Sequence, residues 1–244
     1  FTQRGKSGTG LAAASLISAC REHKGYGVEF TIQHLPITMS TIRLKQLSPL
    51  EIVGLISNSV NLAELDRLAL ACYVWSSALI EPVIKLCKMR GFVGKTILGG
   101  YQIHKDSCHA LYPSGDYYIP GYAEAALPEA ILDDKAITSR VINIDVNMEK
   151  LPSPYLDGTF VLEDGHEMIH WETRRGCIFK CNFCAHRDLK SEGVHLLGMD
   201  KIKKELLLFK EKNVKKINVL DPIFNREPNH LIILQYAIEI GLTS

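Results

Sequence analysis

The sequence predicts an α/β fold, a doubly wound domain followed by the opening βα units of a second one. Three observations carry this. Up to about residue 135, segments with apolar residues at helical spacing alternate with strand-like segments. Strands separated by helices imply parallel pairing through right-handed crossovers. A stretch with two prolines and a glycine, LPSPYLDGTF (151–160), then punctuates the chain before a second βαβα pattern. The expected organisation is a first domain over 1–135, a linker over 136–165 and a second domain over 166–244.

The elements follow in order. GTGLAAASLISACREH (8–23) spaces Ala, Leu and Ile as a helix, with Ser7 and Thr9 as caps. GVEFTIQHL (27–35) alternates like a strand. In SPLEIVGLISNSV (48–60), Ser48, Pro49 and Glu51 form a capping box with proline at the first helical position. LDRLALACYVW (65–75) ends in a β-rich run that reads as a buried strand. SALIEPVIKLCKMRG (77–91) is an amphipathic helix stopped by Gly91, and KTILGGYQI (95–103) a strand broken by a double glycine. GDYYIPGYAEAALPEAIL (115–132) gives a short strand, a glycine turn and a helix. Beyond the linker come a strand in HEMIHWET (166–173), a helix in MDKIKKELLLFKEKN (199–213) with Asp200 near its start, a strand in VKKINVLDPIFN (214–225) and a last helix in HLIILQYAIEIG (230–241).

Bulk properties exclude several functional classes. Hydrophobic content of 46% and charged content of 23% are those of a globular protein. A formal net charge of +1 gives no electrostatic reason to expect nucleic acid or an anionic membrane surface as partner. No apolar run reaches the roughly 20 residues that span a bilayer, and no signal peptide opens the chain. It begins with Phe1, so the start is expected to be missing or processed. Seven cysteines without a secretory signal argue against a disulfide framework and predict a reducing, cytoplasmic setting.

In a doubly wound sheet, ligands sit beyond the carboxyl ends of the strands. Glycine- and aromatic-rich turns fall there: CYVWSS (72–77), GGYQIH (99–104) and IPGYAE (119–124). Glycine admits a ligand close to the backbone, and Tyr and Trp offer flat apolar walls. Any one of these is also readable as a tight turn with a packing aromatic; three at one sheet edge point to a binding crevice. His34, His104, His109 and His170 have no spaced partner and read as structural.

The cysteine usage is uneven. Cys20, Cys72, Cys87 and Cys108 lie in apolar or mixed segments and read as reduced core thiols. Cys177, Cys181 and Cys184 cluster as C-x3-C-x2-C in GCIFKCNFCAH (176–186). Thiolates ligate zinc and iron–sulfur clusters. Structural zinc needs four ligands, and His186, two residues past Cys184, is too close in sequence for easy tetrahedral closure. A four-iron cluster held by three cysteines instead keeps one iron open to an exogenous ligand, and an open position is what makes a metal site reactive.

The stretch RRGCIFKCNFCAHRD closely resembles the signature loop of radical S-adenosylmethionine (SAM) enzymes, C-x3-C-x-aromatic-C after the first strand of a partial (β/α)6 barrel. The resemblance implies a [4Fe-4S] cluster on Cys177, Cys181 and Cys184, with SAM chelated by the open iron and cleaved to a 5′-deoxyadenosyl radical. It places Phe183 beside the adenine. Asp221 and Asn225 occupy the position where the family holds the methionine amino group; taken alone they also read as a cap and a turn asparagine. Arg174, Arg175, His186 and Arg187 flank the cluster.

The resemblance extends over nearly the whole chain. LACYVWSSALIEPVI, ILGGYQI and YIPGYAEAAL look like the Rossmann-like cobalamin-binding domain that precedes the barrel in one radical SAM subclass. LPSPYLDG is similar to its interdomain linker and INVLDPIFN to its second barrel strand. The resemblance implies cobalamin at the sheet edge near Tyr73, Trp75, Ser76, Gly99, Gly100, Tyr101, Gln102, Gly121 and Glu124. The D-x-H-x-x-G loop of histidine-ligated binders is absent, which fits cobalamin bound without histidine and equally relatives that have lost it. The expected activity is methyl transfer to an unactivated carbon of a small-molecule or peptide substrate, with an electron donor such as flavodoxin or ferredoxin. The alternatives are radical chemistry without cobalamin and a non-catalytic cobalamin- or metal-binding fragment. Two βα units leave the barrel truncated, with strand edges unpaired, so a longer chain or a second chain is expected to complete it.

Overall fold

A computed structural model of the chain describes residues 10–23, 31–37, 47–132, 139–179, 181–184, 194–225 and 229–242. These fall into two compact units, one spanning residues 23–146 and the other residues 147–244 together with the N-terminal segment up to Glu22.

The first unit is built on three parallel strands, β1 (Arg67–Ala71), β2 (Lys95–Gly99) and β3 (Tyr117–Ile119), in the order β1-β2-β3. Val141 extends the sheet by one parallel bridge to Tyr118. Alternate side chains point to opposite faces. Leu98 and Tyr118 pack on one face with Ile80 and Ile84 of α3 (Ser77–Met89) and Cys108 of α4 (Cys108–Leu111). Ile97, Tyr117 and Ile119 pack on the other with Ala126 and Ala130 of α5 (Ala126–Leu132). Helices therefore cover both faces, as a parallel sheet requires. The described strands run in sequence order without the reversal that marks a doubly wound sheet.

Local chemistry explains most boundaries. α2 (Pro49–Ser59) starts where the Ser48 hydroxyl accepts from the Glu51 N–H (3.3 Å) and the Glu51 carboxylate accepts from the Ser48 N–H (2.8 Å). β1 stops at Ala71, short of the expected run to Trp75. The Ser76 hydroxyl accepts from the Tyr73 N–H (3.1 Å) and donates to the Ala71 carbonyl (3.2 Å), curling the chain into a turn before α3. Of the strand expected over 27–35, residues 31–35 are irregular and the rest lies outside the described residues. Pro36 has no N–H for a ladder there, and Leu35 and Ile37 instead pack against the cluster of Ile52, Leu68 and Val83.

The second unit differs from the expected boundaries. α1 (Leu11–Glu22) belongs to it: Ser18 donates to the Asp157 carboxylate, and Arg21 Nη1 donates to Thr159 Oγ1 (2.9 Å). The division at Val146 falls inside the expected linker. Residues 151–160 form a strap sunk into this unit's core. Tyr155 and Phe160 are buried, and Tyr155 meets both Phe160 and Phe209 at 5.0 Å between ring centroids. Ser153 donates to the buried Glu205 carboxylate, which also accepts from Trp171 Nε1 (2.7 Å).

Its core strands are β4 (Ile169–Trp171) and β7 (Ile217–Val219), parallel, with Ile169 opposite Ile217 and Trp171 opposite Val219. Between them lie a short antiparallel pair, β5 (Arg174–Arg175) with β6 (His195–Leu196), and α6 (Met199–Glu211). α7 (Asn229–Glu239) follows; it buries Ile233 and leaves Leu231, Ile232, Leu234 and Ile238 exposed. Lys203 of α6 lies 5.2 Å from the Tyr236 ring centroid of α7, a cation–π contact. Among the described residues, no helix is long and apolar enough to cross a membrane.

Candidate functional site

The cysteine loop leaves the end of β4 under tight control. Parallel pairing brings the ends of β4 and β7 to one level, and Asp221 follows β7 directly. Its carboxylate, fully buried, accepts from the backbone N–H of Thr173 (2.8 Å), from the Thr173 hydroxyl and from the N–H of Arg174 (3.3 Å). Two residues of the departing chain, four and three before Cys177, are thus fixed. Arg175 is held as well: its Nε and Nη2 donate to Glu172 Oε2 at 3.0 and 2.9 Å. Gly176 then turns with φ of +85°, a conformation that L side chains rarely adopt. At the far end, β6 pairs back on β5 and closes the loop at its neck.

Within the loop, Cys177 and Cys184 are half-buried and Cys181 is exposed. The Phe179 N–H donates to Cys177 Sγ (3.4 Å), and the Cys184 N–H donates to the Cys181 carbonyl (3.0 Å). Cys20, Cys72, Cys87 and Cys108 are buried instead, and burial raises all four thiols above their ordinary range, Cys20 and Cys72 to about 12. The accessible thiols are therefore those of the motif. Three soft donors, with no fourth beside them among the described residues, fit the open-cornered cluster by chemistry. Among the described residues no group of three or more His, Cys, Asp and Glu side chains converges as a metal site, so the three sulfurs are not gathered around one centre.

Lys180 and residues 185–193, including His186 and Arg187, lie outside the described residues. Phe183 projects from the loop with 93% of its surface exposed, and Asn225 is exposed beyond β7. Asp221 differs from its expected ligand-facing role. Its oxygens are engaged by Thr173 and Arg174, so it ties the loop to the sheet. The spacing of these residues in the sequence gave no sign of this, because the partners lie 48 residues apart and meet only through strand register. Thr173 went unnoticed for the same reason, whereas Glu172, only three residues from its partner Arg175, was a local pairing that sequence reasoning missed.

The sheet edge of the first unit gathers the other candidates. Strand register sets Ala71, Gly99 and Ile119 side by side, so the turns after β1, β2 and β3 emerge at one edge. The Tyr73 and Trp75 rings stack at 4.7 Å with 12° between planes, and Trp75 keeps 36% of its surface exposed. The first two turns are knitted by Cys72, whose N–H donates to Gly99 (2.7 Å) and whose carbonyl accepts from Gln102 (3.1 Å). Gly100, at φ +104°, sits where a Cβ would be 2.8 Å from the Cys72 carbonyl oxygen. Tyr101 and Gly121 are exposed, whereas Ser76 and Glu124 are buried; Ser76 is spent on the turn itself.

Comparison with known proteins gives two curated relatives. The chain is 27% identical over 208 residues to 2-(S-pantetheinyl)-carbapenam-3-carboxylate methyltransferase of Streptantibioticus cattleyicolor, covering 74% of this chain and 30% of that protein. It is 26% identical over 206 residues to the cobalamin-dependent radical SAM methyltransferase TokK of Streptomyces tokunonensis, covering 73% and 30%. No family model matches the chain. Among solved structures, the N-terminal domain of a hypothetical protein of Thermotoga maritima aligns with a TM-score of 0.33 at 17% identity, over 59% of this chain and 97% of that one. The chain is thus similar to two proteins named as methyltransferases and spans about 30% of their length.

Proposed function

We propose that this chain is the cofactor-binding portion of a cobalamin-dependent radical SAM methyltransferase acting on a small-molecule or peptide substrate. The observation that carries the proposal is the division of the cysteines: the three in C-x3-C-x2-C spacing have accessible thiols on a loop anchored to a parallel strand, while the four others are buried. Similarity to two methyltransferases, one named as cobalamin-dependent and radical SAM, supports the same reading.

Cys177, Cys181 and Cys184 are the residues that would hold a [4Fe-4S] cluster, leaving one iron for SAM. Bound together, cluster and SAM supply a one-electron cleavage at sulfonium, and cobalamin carries a methyl group. The chain's own contribution is positional. Asp221, Glu172 and the β5–β6 pair hold the neck of the loop, so the sulfurs require rearrangement only within the loop itself. The Phe179 N–H offers a hydrogen bond to Cys177 sulfur, the kind of contact that tunes a cluster. Phe183 gives an apolar wall for an adenine and Asn225 a polar group for the methionine amino end. Cobalamin is assigned to the edge formed by Tyr73, Trp75, Gly99, Gly100, Tyr101, Gln102 and Gly121, where an exposed aromatic stack and bare glycine backbone offer a flat apolar platform. An electron donor of flavodoxin or ferredoxin type completes the scheme.

Titration with hydroxocobalamin tests the first-unit assignment. The expected result is a spectral shift and co-elution on gel filtration, weakened at least tenfold in Trp75→Ala. A chain that neither shifts the spectrum nor retains the cofactor would leave the first unit without the proposed ligand.

A further inference from the structure

We infer that a cleft at the start of α7 is an oxyanion site built around Arg174, receiving the carboxylate or phosphate end of a ligand. Arg174 is 4% exposed, and its Nη2 is buried with no hydrogen-bond partner among the described residues. A guanidinium is always charged and presents five donors, and buried donors nearly always find acceptors. Among the described residues its carboxylate partner is Asp221, 3.9 Å from Nε and already accepting from Thr173 and the Arg174 backbone. It stands off Nε and leaves Nη2 without an acceptor.

The cleft is shallow and open to solvent, about 230 Å³ of unfilled space counted together with its mouth, so only the end group of a ligand would reach Arg174. Asn229 and His230, the first two residues of α7, line it opposite Arg174. The first-turn N–H groups of an eleven-residue helix have no helical acceptors and carry the positive end of its dipole. His230 is set edge-on against Phe224, with centroids 6.1 Å apart. Leu196, Ile202 and Ile233 complete the walls, and apolar surroundings strengthen a charge-assisted hydrogen bond. A buried guanidinium whose Nη2 has no acceptor among the described residues and a helix start lining the same space are two independent features that favour the same ligand chemistry. The backbone of Arg174 is pinned by Asp221, so the guanidinium is pre-positioned.

The site does not depend on the cofactors proposed above, and its test uses the full chain free of iron. The Arg174 side-chain nitrogen resonances, assigned through bonds from its backbone, are followed during titration with inorganic phosphate and, separately, with acetate, each against sodium chloride at matched ionic strength. A saturable shift with either anion supports the inference, and the anion that acts identifies phosphate or carboxylate as the ligand class. The same anion should raise the thermal midpoint of the wild-type chain by a few degrees and leave that of Arg174→Met unmoved. No saturable shift, or the same response to chloride, overturns it, as does a folded Arg174→Met that keeps the thermal gain.

Discussion

Asp221, at the end of β7, accepts a hydrogen bond from the backbone N–H of Thr173 across 48 residues of sequence, at 2.8 Å. The same carboxylate takes the Thr173 hydroxyl and the Arg174 N–H. One buried group thereby decides where the cysteine loop leaves the sheet. Asp221→Ala would leave these donors, and the Arg174 cation, without their acceptor. The expected cost is about 3 kcal/mol, read as a lower urea midpoint. Thr173→Val, which removes only the hydroxyl partner, should cost about 1 kcal/mol.

Thiol accessibility gives a second expectation. At pH 8 the native chain should react with a thiol reagent at the three motif cysteines within seconds to minutes. The other four, buried and raised by desolvation, should react only after unfolding. The count is seven in guanidinium. Fast labelling of more than three thiols in the native state would contradict the burial pattern.

Glu205 predicts a pH effect. It is 3% exposed, and burial raises its carboxyl above the ordinary value of 4.5, against the lowering effects of Lys201, Ser153 and Trp171. The folded state therefore binds its proton more tightly than the unfolded state does. Its contribution to stability is full below about pH 4.5 and is lost as the pH rises through the higher folded value. Glu205→Gln, which keeps an acceptor for Trp171, should remove that slope. Relative to wild type, the variant should gain stability as pH increases from 4 to 8, measured by urea unfolding at each pH.

Gly100 combines two constraints at the sheet edge. Its φ of +104° is unfavourable for an L residue, and a Cβ would lie 2.8 Å from the Cys72 carbonyl oxygen. Gly100→Ala should destabilise the first unit by about 3 kcal/mol. Gly121→Ala meets nothing within 4 Å at φ +79° and should cost about 1 kcal/mol, from backbone strain alone. Thermal melts of the two variants separate the effects.

Much of the fold was legible where the signal is local. The Ser48–Glu51 capping box, the stops at Gly91 and Gly100 and the helix over 199–211 all follow from neighbouring residues. What escaped depends on distant ones. The expected strand over 65–75 ends early because Ser76 captures the backbone behind it. α1 joins the second unit through Asp157 and Thr159, more than 130 residues on. Of the candidate site, the cysteine spacing was legible because it is a local feature of the chain; the structure leaves the three sulfurs ungathered. The tie from Asp221 was not, since it exists only once β4 and β7 pair.

Cys177, Cys181 and Cys184 are proposed together to hold an iron–sulfur cluster with an open corner. The most direct test is anaerobic reconstitution with iron and sulfide, followed by metal and sulfide analysis and electron paramagnetic resonance of the reduced chain with and without SAM. The reconstituted chain should carry about four iron and four sulfide and give a signal that changes when SAM is added, with both lost in Cys181→Ala. A chain that takes up a single zinc ion, or keeps its iron in Cys181→Ala, would contradict it.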